Sequence, residues 1–129
     1  ASDVYKRQPY RFIKQKLIDI SEDDSEFERR AEITIEAHGE VTTLTGYGNG
    51  PIDAVKNALN SLPEMHSHLL DYSEHALTSG SSSKAAAYVY LRAKGSARQE
   101  YGVGIHPNIT TATVKAIISG MNRLYKTLK

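Results

Sequence analysis

Residues 31–51, AEITIEAHGEVTTLTGYGNGP, return 56 positions later as residues 87–107, AYVYLRAKGSARQEYGVGIHP. Ala31, Ala37, Gly39, Gly46, Gly48 and Pro51 stand opposite Ala87, Ala93, Gly95, Gly102, Gly104 and Pro107. Ile33 and Ile35 stand opposite Val89 and Leu91, so the apolar alternation returns in phase as well. Identities kept without a gap, several at backbone-special glycines, mark a duplicated unit.

Each copy reads as the same run of elements. EITIEAHG and YVYLRAKG alternate as half-buried strands and end at Gly39 and Gly95, where a chain can turn with positive φ. A second strand follows in each, EVTTLTGYG and ARQEYGVGI, which makes a hairpin. Helices come next, residues 51–62, with Pro51 in the first turn where its missing N–H costs nothing, and residues 109–128. The second helix sets Val114, Ile117, Ile118, Met121, Leu124 and Tyr125 at three-to-four spacing. An apolar stretch precedes each hairpin, YRFIKQKLIDI (10–20) and HSHLLDYSEHAL (66–77), and reads as a strand. The expected fold is α+β: two βββα units related by an internal pseudo-twofold repeat, helices packed on antiparallel sheets. In this division residues 1–9 are a polar tail or linker, 10–65 the first unit and 66–129 the second, all in one domain.

Composition narrows the function. The 129 residues carry 16 basic and 15 acidic side chains, a net charge of +1, so no global field draws the chain to nucleic acid or a membrane. With no cysteine there is no disulfide, thiolate metal site or cysteine nucleophile. No apolar run approaches the roughly 18 residues of a membrane span, and a cytoplasmic location is expected. The start at Ala1, followed by the polar SDVYKRQP, is that expected of a piece of a longer protein.

The glycine loop before the first helix is spaced G-x-G-x-G, with Pro51 and Ile52 where a P-loop has lysine and a hydroxyl. A hairpin before it also lacks the crossover that a dinucleotide fingerprint requires. Gly46 and Gly48 recur in the second copy and are assigned to packing. Gly50, opposite His106, exists once and is assigned to a ligand that approaches the backbone at a helix start. His66 and His68 have metal-ligand spacing but no third ligand nearby. Glu74 and His75 are strand neighbours that face opposite ways, a poor acid–base pair. The serines of residues 80–83 lack an oriented base, and the eight tyrosines are scattered rather than interleaved with basic residues. No set of residues would carry out a reaction, and a binding module is expected.

GYGNGPIDAVKNAL, LLDYSEHALTSG, KAAAYVYL and YGVGIHPNITTATVKAIISGMNRL together resemble the C-terminal regulatory domain of 2-isopropylmalate synthase, shared with citramalate synthase. The resemblance covers roughly Ala31 to Leu124. It implies two βββα units, a homodimer, and feedback control by a pathway end product: leucine in isopropylmalate synthases, isoleucine in citramalate synthases. The catalytic partner it implies is a separate TIM barrel, an acyltransferase that uses a divalent metal and acetyl-CoA; this chain has no cofactor and no catalysis of its own. LDYSEHA and GVGIHPNITTA are closer to the leucine-responsive members. The effector site carried over by resemblance comprises Gly48, Asn49, Gly50, Pro51 and Ile52, then Leu69, Asp71, Tyr72 and Ala76, then Ser83 and Ala85, and finally Ile105, His106, Pro107 and Asn108. Ile52, Leu69, Tyr72 and Ala76 are expected to form the aliphatic slot, with backbone groups at the two helix starts receiving the charged ends. Where the family commonly has G-[SD]-D-A, this chain has Gly80, Ser81, Ser82 and Ser83. That departure leaves open a dimerisation module without its effector site.

Overall fold

The computed structural model of the chain describes residues 9–19, 28–62, 67–77 and 83–128, without the side chains of 125–128. Residues 20–27, 63–66 and 78–82, among them His66, Gly80, Ser81 and Ser82, lie outside the described residues. In chain order the elements are β1 (Tyr10–Asp19), β2 (Arg29–Ala37), β3 (Glu40–Gly48), α1 (Pro51–Asn60), β4 (Ser67–Ala76), β5 (Ala85–Ala93), β6 (Gln99–His106) and α2 (Ile109–Leu128). Two antiparallel sheets result, β1-β2-β3 and β4-β5-β6, each followed by its helix, which is the α+β repeat expected. The first helix stops at Asn60, two residues short of the expectation, where Ser61 turns back to Ala58 and Leu59.

The β2–β3 hairpin closes over His38 and Gly39, both at positive φ (52° and 86°), the combination that a two-residue turn needs to follow strand twist. Gly95 repeats the positive φ at 77°. The repeat extends to an irregularity. Pairing of β1 with β2 skips Ile13, and pairing of β4 with β5 skips Leu70. These bulges are 57 residues apart, whereas Ala37 and Ala93 are 56 apart, so the β1–β2 connection is one residue longer than the β4–β5 connection. Each bulge re-phases its strand, which puts Phe12 with Gln15 and Leu69 with Tyr72 on the inner faces.

Ala31, Ile33 and Ile35 from β2 and Ala87, Val89 and Leu91 from β5 are wholly buried, the alternation seen in the sequence. The recurring glycines lie where helix backbone crosses strand backbone. A Cβ at Gly46 would fall within Ala54 and Ala58 of α1, and a Cβ at Gly102 or Gly104 within Ala116 or Ala112 of α2. Helix and sheet therefore approach as closely as main chains can. The one-faced pattern expected of α2 is exceeded: Thr111, Ala112, Thr113, Ala116 and Asn122 are buried along with Val114, Ile117, Ile118, Met121 and Leu124. The reason is that α2 is covered twice, by its own sheet and by β1 of the other. Asn122 clasps that second contact, accepting from the Tyr10 N–H at 3.0 Å and donating to the Tyr10 carbonyl at 2.9 Å.

Candidate functional site

The two units are not closed equally. In the first, β1 lies against α2, with Gln15 Nε2 donating to Thr111 Oγ1 at 3.2 Å and the Lys115 ammonium 5.8 Å from the Phe12 ring centre. Carried through the repeat, Gln15 becomes Tyr72 and Thr111 becomes Val55, so the matching contact would join β4 to α1. There the structure has a cleft of about 230 Å³, walled by Pro51, Ile52, Val55, Tyr72, Ile109 and Thr113, with Glu74 and Thr110 at its edge. Where β1 touches α2, β4 stands off from the first turns of α1 and the cleft lies between them.

The walls are built by identifiable local chemistry. Pro51 opens α1, and Gly50 precedes it in extended backbone (φ −138°, ψ 172°) with no side chain to cap the helix. The first N–H groups of α1 therefore point outward without intrahelical partners. At the other helix start, the Asn108 carboxamide oxygen accepts from the Thr111 N–H at 3.0 Å, and the Asn108 N–H donates to His106 Nδ1 at 3.0 Å. Both helix N-termini, the positive ends of their dipoles, flank the cleft. The Tyr72 hydroxyl donates to Glu74 Oε2 at 2.7 Å and sits 3.1 Å from Thr113 Oγ1. Burial, opposed by the Thr113 hydrogen bond and reinforced by the Glu74 carboxylate, raises the Tyr72 pKa above its ordinary value. Tyr72 is thus a neutral donor, and among the described residues lining this cleft Glu74 is the one acidic or basic side chain.

A second cleft, about 340 Å³, adjoins it beyond Glu74 and Ile109, which line both. Ala76, Ser83, Lys84, Ala85 and Pro107 complete its walls.

The residues carried over by resemblance thus divide. Pro51, Ile52 and Tyr72 meet in the first cleft; Ala76, Ser83, Ala85 and Pro107 meet in the second. Gly50 stands at the α1 start with open space around it, and Asn49 beside it is exposed. Gly48 lies against Asp53 and Ala54 of α1. Leu69 packs against the core, and Asp71 is exposed, its Oδ1 accepting from the Tyr72 N–H. Ile105 is exposed, while His106 and Asn108 hold the turn into α2. Sequence reasoning did not select Val55, Glu74, Ile109, Thr110 or Thr113. The repeat held a signal for Val55, the counterpart of Thr111. Glu74 and His75 do part company, Glu74 bonding Tyr72 and His75 packing edge-on to Tyr88 at 5.7 Å. Among the described residues no three His, Asp or Glu side chains gather to hold a metal ion, and no helix is long and apolar enough to cross a membrane.

Comparison with known proteins agrees with this architecture. The chain is 39% identical over 118 residues to the 2-isopropylmalate synthase of Clostridium acetobutylicum, covering 91% of this chain and 21% of that protein. It is 40% identical over 116 residues to that of Mycobacterium leprae (90% and 18%) and 44% identical over 101 residues to that of Thermobifida fusca (78% and 17%). The chain thus spans about a fifth of the length of the curated relatives it matches. A family model described as the LeuA allosteric (dimerisation) domain matches residues 1–125, and the chain belongs to that family.

Proposed function

We propose that the chain is the feedback-regulatory domain of a 2-isopropylmalate synthase, a homodimer that binds leucine and transmits its presence to a TIM-barrel synthase domain. The observation that carries this reading is the cleft between α1, β4 and α2. Its aliphatic walls, Ile52, Val55 and Ile109, suit a branched side chain, whose burial stabilises by about 1.5–3 kcal/mol. Glu74 is placed to accept an ammonium, and outward N–H groups at a helix start to receive a carboxylate. At about 230 Å³ the space is smaller than the roughly 300–1,000 Å³ of drug-sized pockets, as a small metabolite requires. Metal and acetyl-CoA chemistry belong, in this reading, to the barrel.

Calorimetry with leucine, isoleucine, valine and lysine tests it. Leucine is expected to bind with Kd below about 100 μM, roughly −5.5 kcal/mol, and lysine not at all. Glu74→Gln is expected to weaken leucine at least about tenfold without moving the urea midpoint. Absence of both heat and thermal shift with all four ligands would sink effector binding. In the joined enzyme, coupling of about 1–3 kcal/mol is expected between leucine and the synthase.

A further inference from the structure

Beside the Tyr10–Asn122 clasp lies a third cleft, of about 740 Å³, set on the later turns of α2 and away from Ile109 and Thr113, which wall the first cleft. Its charged side chains are all cationic: Arg11 from β1, and Lys115 and Arg123 from α2. Among the described residues that line it there is no carboxylate. In a chain whose 16 basic and 15 acidic side chains nearly cancel, this is a local surplus. On the first sheet the arginines are matched, Arg29 with Asp19 at 3.0 Å and Arg30 with Glu32 at 3.2 Å. Lys115 has a ring instead, its ammonium 5.8 Å from the centre of Phe12. Nothing in the duplicated fold calls for this charge: 56 positions before Lys115, Ser119 and Arg123 stand Leu59, Pro63 and Ser67.

We propose that this cleft binds an organic diphosphate, a ligand separate from the one assigned to the first cleft. Cations that converge in a walled cleft repel one another, and the walls focus the field that draws an anion in. Lys115, Ser119 and Arg123 follow at four-residue spacing on one helix face, so the two cations sit about 12 Å apart along the axis, with a hydroxyl midway. Two linked phosphates serve both ends better than one, and a guanidinium matches phosphate oxygens two at a time. Phe12 and Ile118, with Val103 at the rim, add apolar wall that an inorganic anion would leave uncovered. The volume lies within the roughly 300–1,000 Å³ of small-molecule pockets, so an organic body has room beside the phosphates. The frame is fixed. Asn122 spends its carboxamide on Tyr10, and Arg123 Nη1 donates to the Tyr101 carbonyl at 3.0 Å. Arg11 holds Glu36 at 3.4 Å in a solvent-exposed pair, weak enough to turn toward a ligand. Bound there, the ligand bridges β1 of the first unit to α2 of the second, so its binding and the docking of β1 are linked.

Calorimetry with adenosine diphosphate as the probe, in chelator and at fixed ionic strength, tests the site. The diphosphate is expected to bind with Kd below about 1 mM, inorganic pyrophosphate at least about tenfold more weakly, and adenosine not measurably. Lys115→Gln and Arg123→Gln are each expected to raise the Kd at least about tenfold, and Lys14→Gln, exposed on the first sheet, to leave it unchanged. On the parent chain the probe is expected to slow hydrogen exchange at residues 10–12 and 115–123 but not at 51–55. Circular dichroism identifies a misfolded variant, and the exchange pattern then decides alone. Protection elsewhere, or a Kd kept by both folded α2 variants, overturns the location. Pyrophosphate binding as tightly as the nucleotide overturns the organic body, and no heat from either at about 5 mM overturns the site altogether. Leucine binding, measured separately, bears on none of these outcomes.

Discussion

Gly102→Ala places one methyl group where main chain already lies. The new Cβ would stand 2.6 Å from the Gly120 nitrogen and 3.0 Å from the Ala116 carbonyl carbon, with the Ala116 oxygen closer still. Ordinary contacts begin at 3.4 Å, and backbone has no rotamer by which to yield, so α2 must rise from its sheet by about an ångström. A gap of about 0.5–1 Å forfeits a quarter to a half of each dispersion well it opens. For Val89 and Leu91, buried under α2 and worth about 1.5–3 kcal/mol each, that is about 1–3 kcal/mol. Overpacking strain adds about 1–3 kcal/mol. The expected loss of about 2–6 kcal/mol is a large part of the about 5–15 kcal/mol typical of a domain. Urea unfolding followed by circular dichroism reads it as a lower midpoint at constant m. A loss under about 1 kcal/mol with m unchanged would refute the close crossing of α2 over β6.

Asn122→Ala removes both hydrogen bonds to Tyr10 and strands a buried N–H and carbonyl, for an expected cost of about 2–4 kcal/mol in the same assay. Gly50→Ser adds a capping hydroxyl in open space on extended backbone; stability is expected to rise by only about 0.3 kcal/mol while leucine affinity, by calorimetry, falls at least about tenfold. The Tyr72 phenol, raised above 10.0 in the folded state, contributes stability that is fully present below the unfolded value and is lost as pH rises through the folded one. Unfolding free energy is accordingly expected to fall more steeply above pH 10 in the parent than in Tyr72→Phe, measured by urea titration at stepped pH.

The fold was readable because the features that recur are those with the fewest substitutes. Gly46, Gly48, Gly102 and Gly104 lie under helix backbone, where any side chain collides, so both copies display them. Strand phase was readable from Ile33, Ile35, Val89 and Leu91, which all face the core. The first strands were harder. Ile13 and Leu70 interrupt the alternation, and the one-residue difference between connecting loops shifts β1 and β4 out of the 56-residue register. Half the candidate site was visible as a motif at the α1 start. The other half depends on the distance between β4 and the first turns of α1, which no local pattern encodes. Glu74 was hidden because a strand neighbour such as His75 faces away, while its partner is Tyr72, two residues back on the same strand.

The clasp between Tyr10 and Asn122 joins positions 112 apart. Each βββα unit is local in sequence and can begin to form by itself, but this contact waits until nearly the whole chain is in place. Closing so long a loop costs little more than closing one half its length, by about 0.6 kcal/mol. What it sets is order. The first strand cannot settle onto α2 before the second unit exists. Hydrogen exchange is expected to read that late contact as faster exchange on the β1 amides than on those of β2.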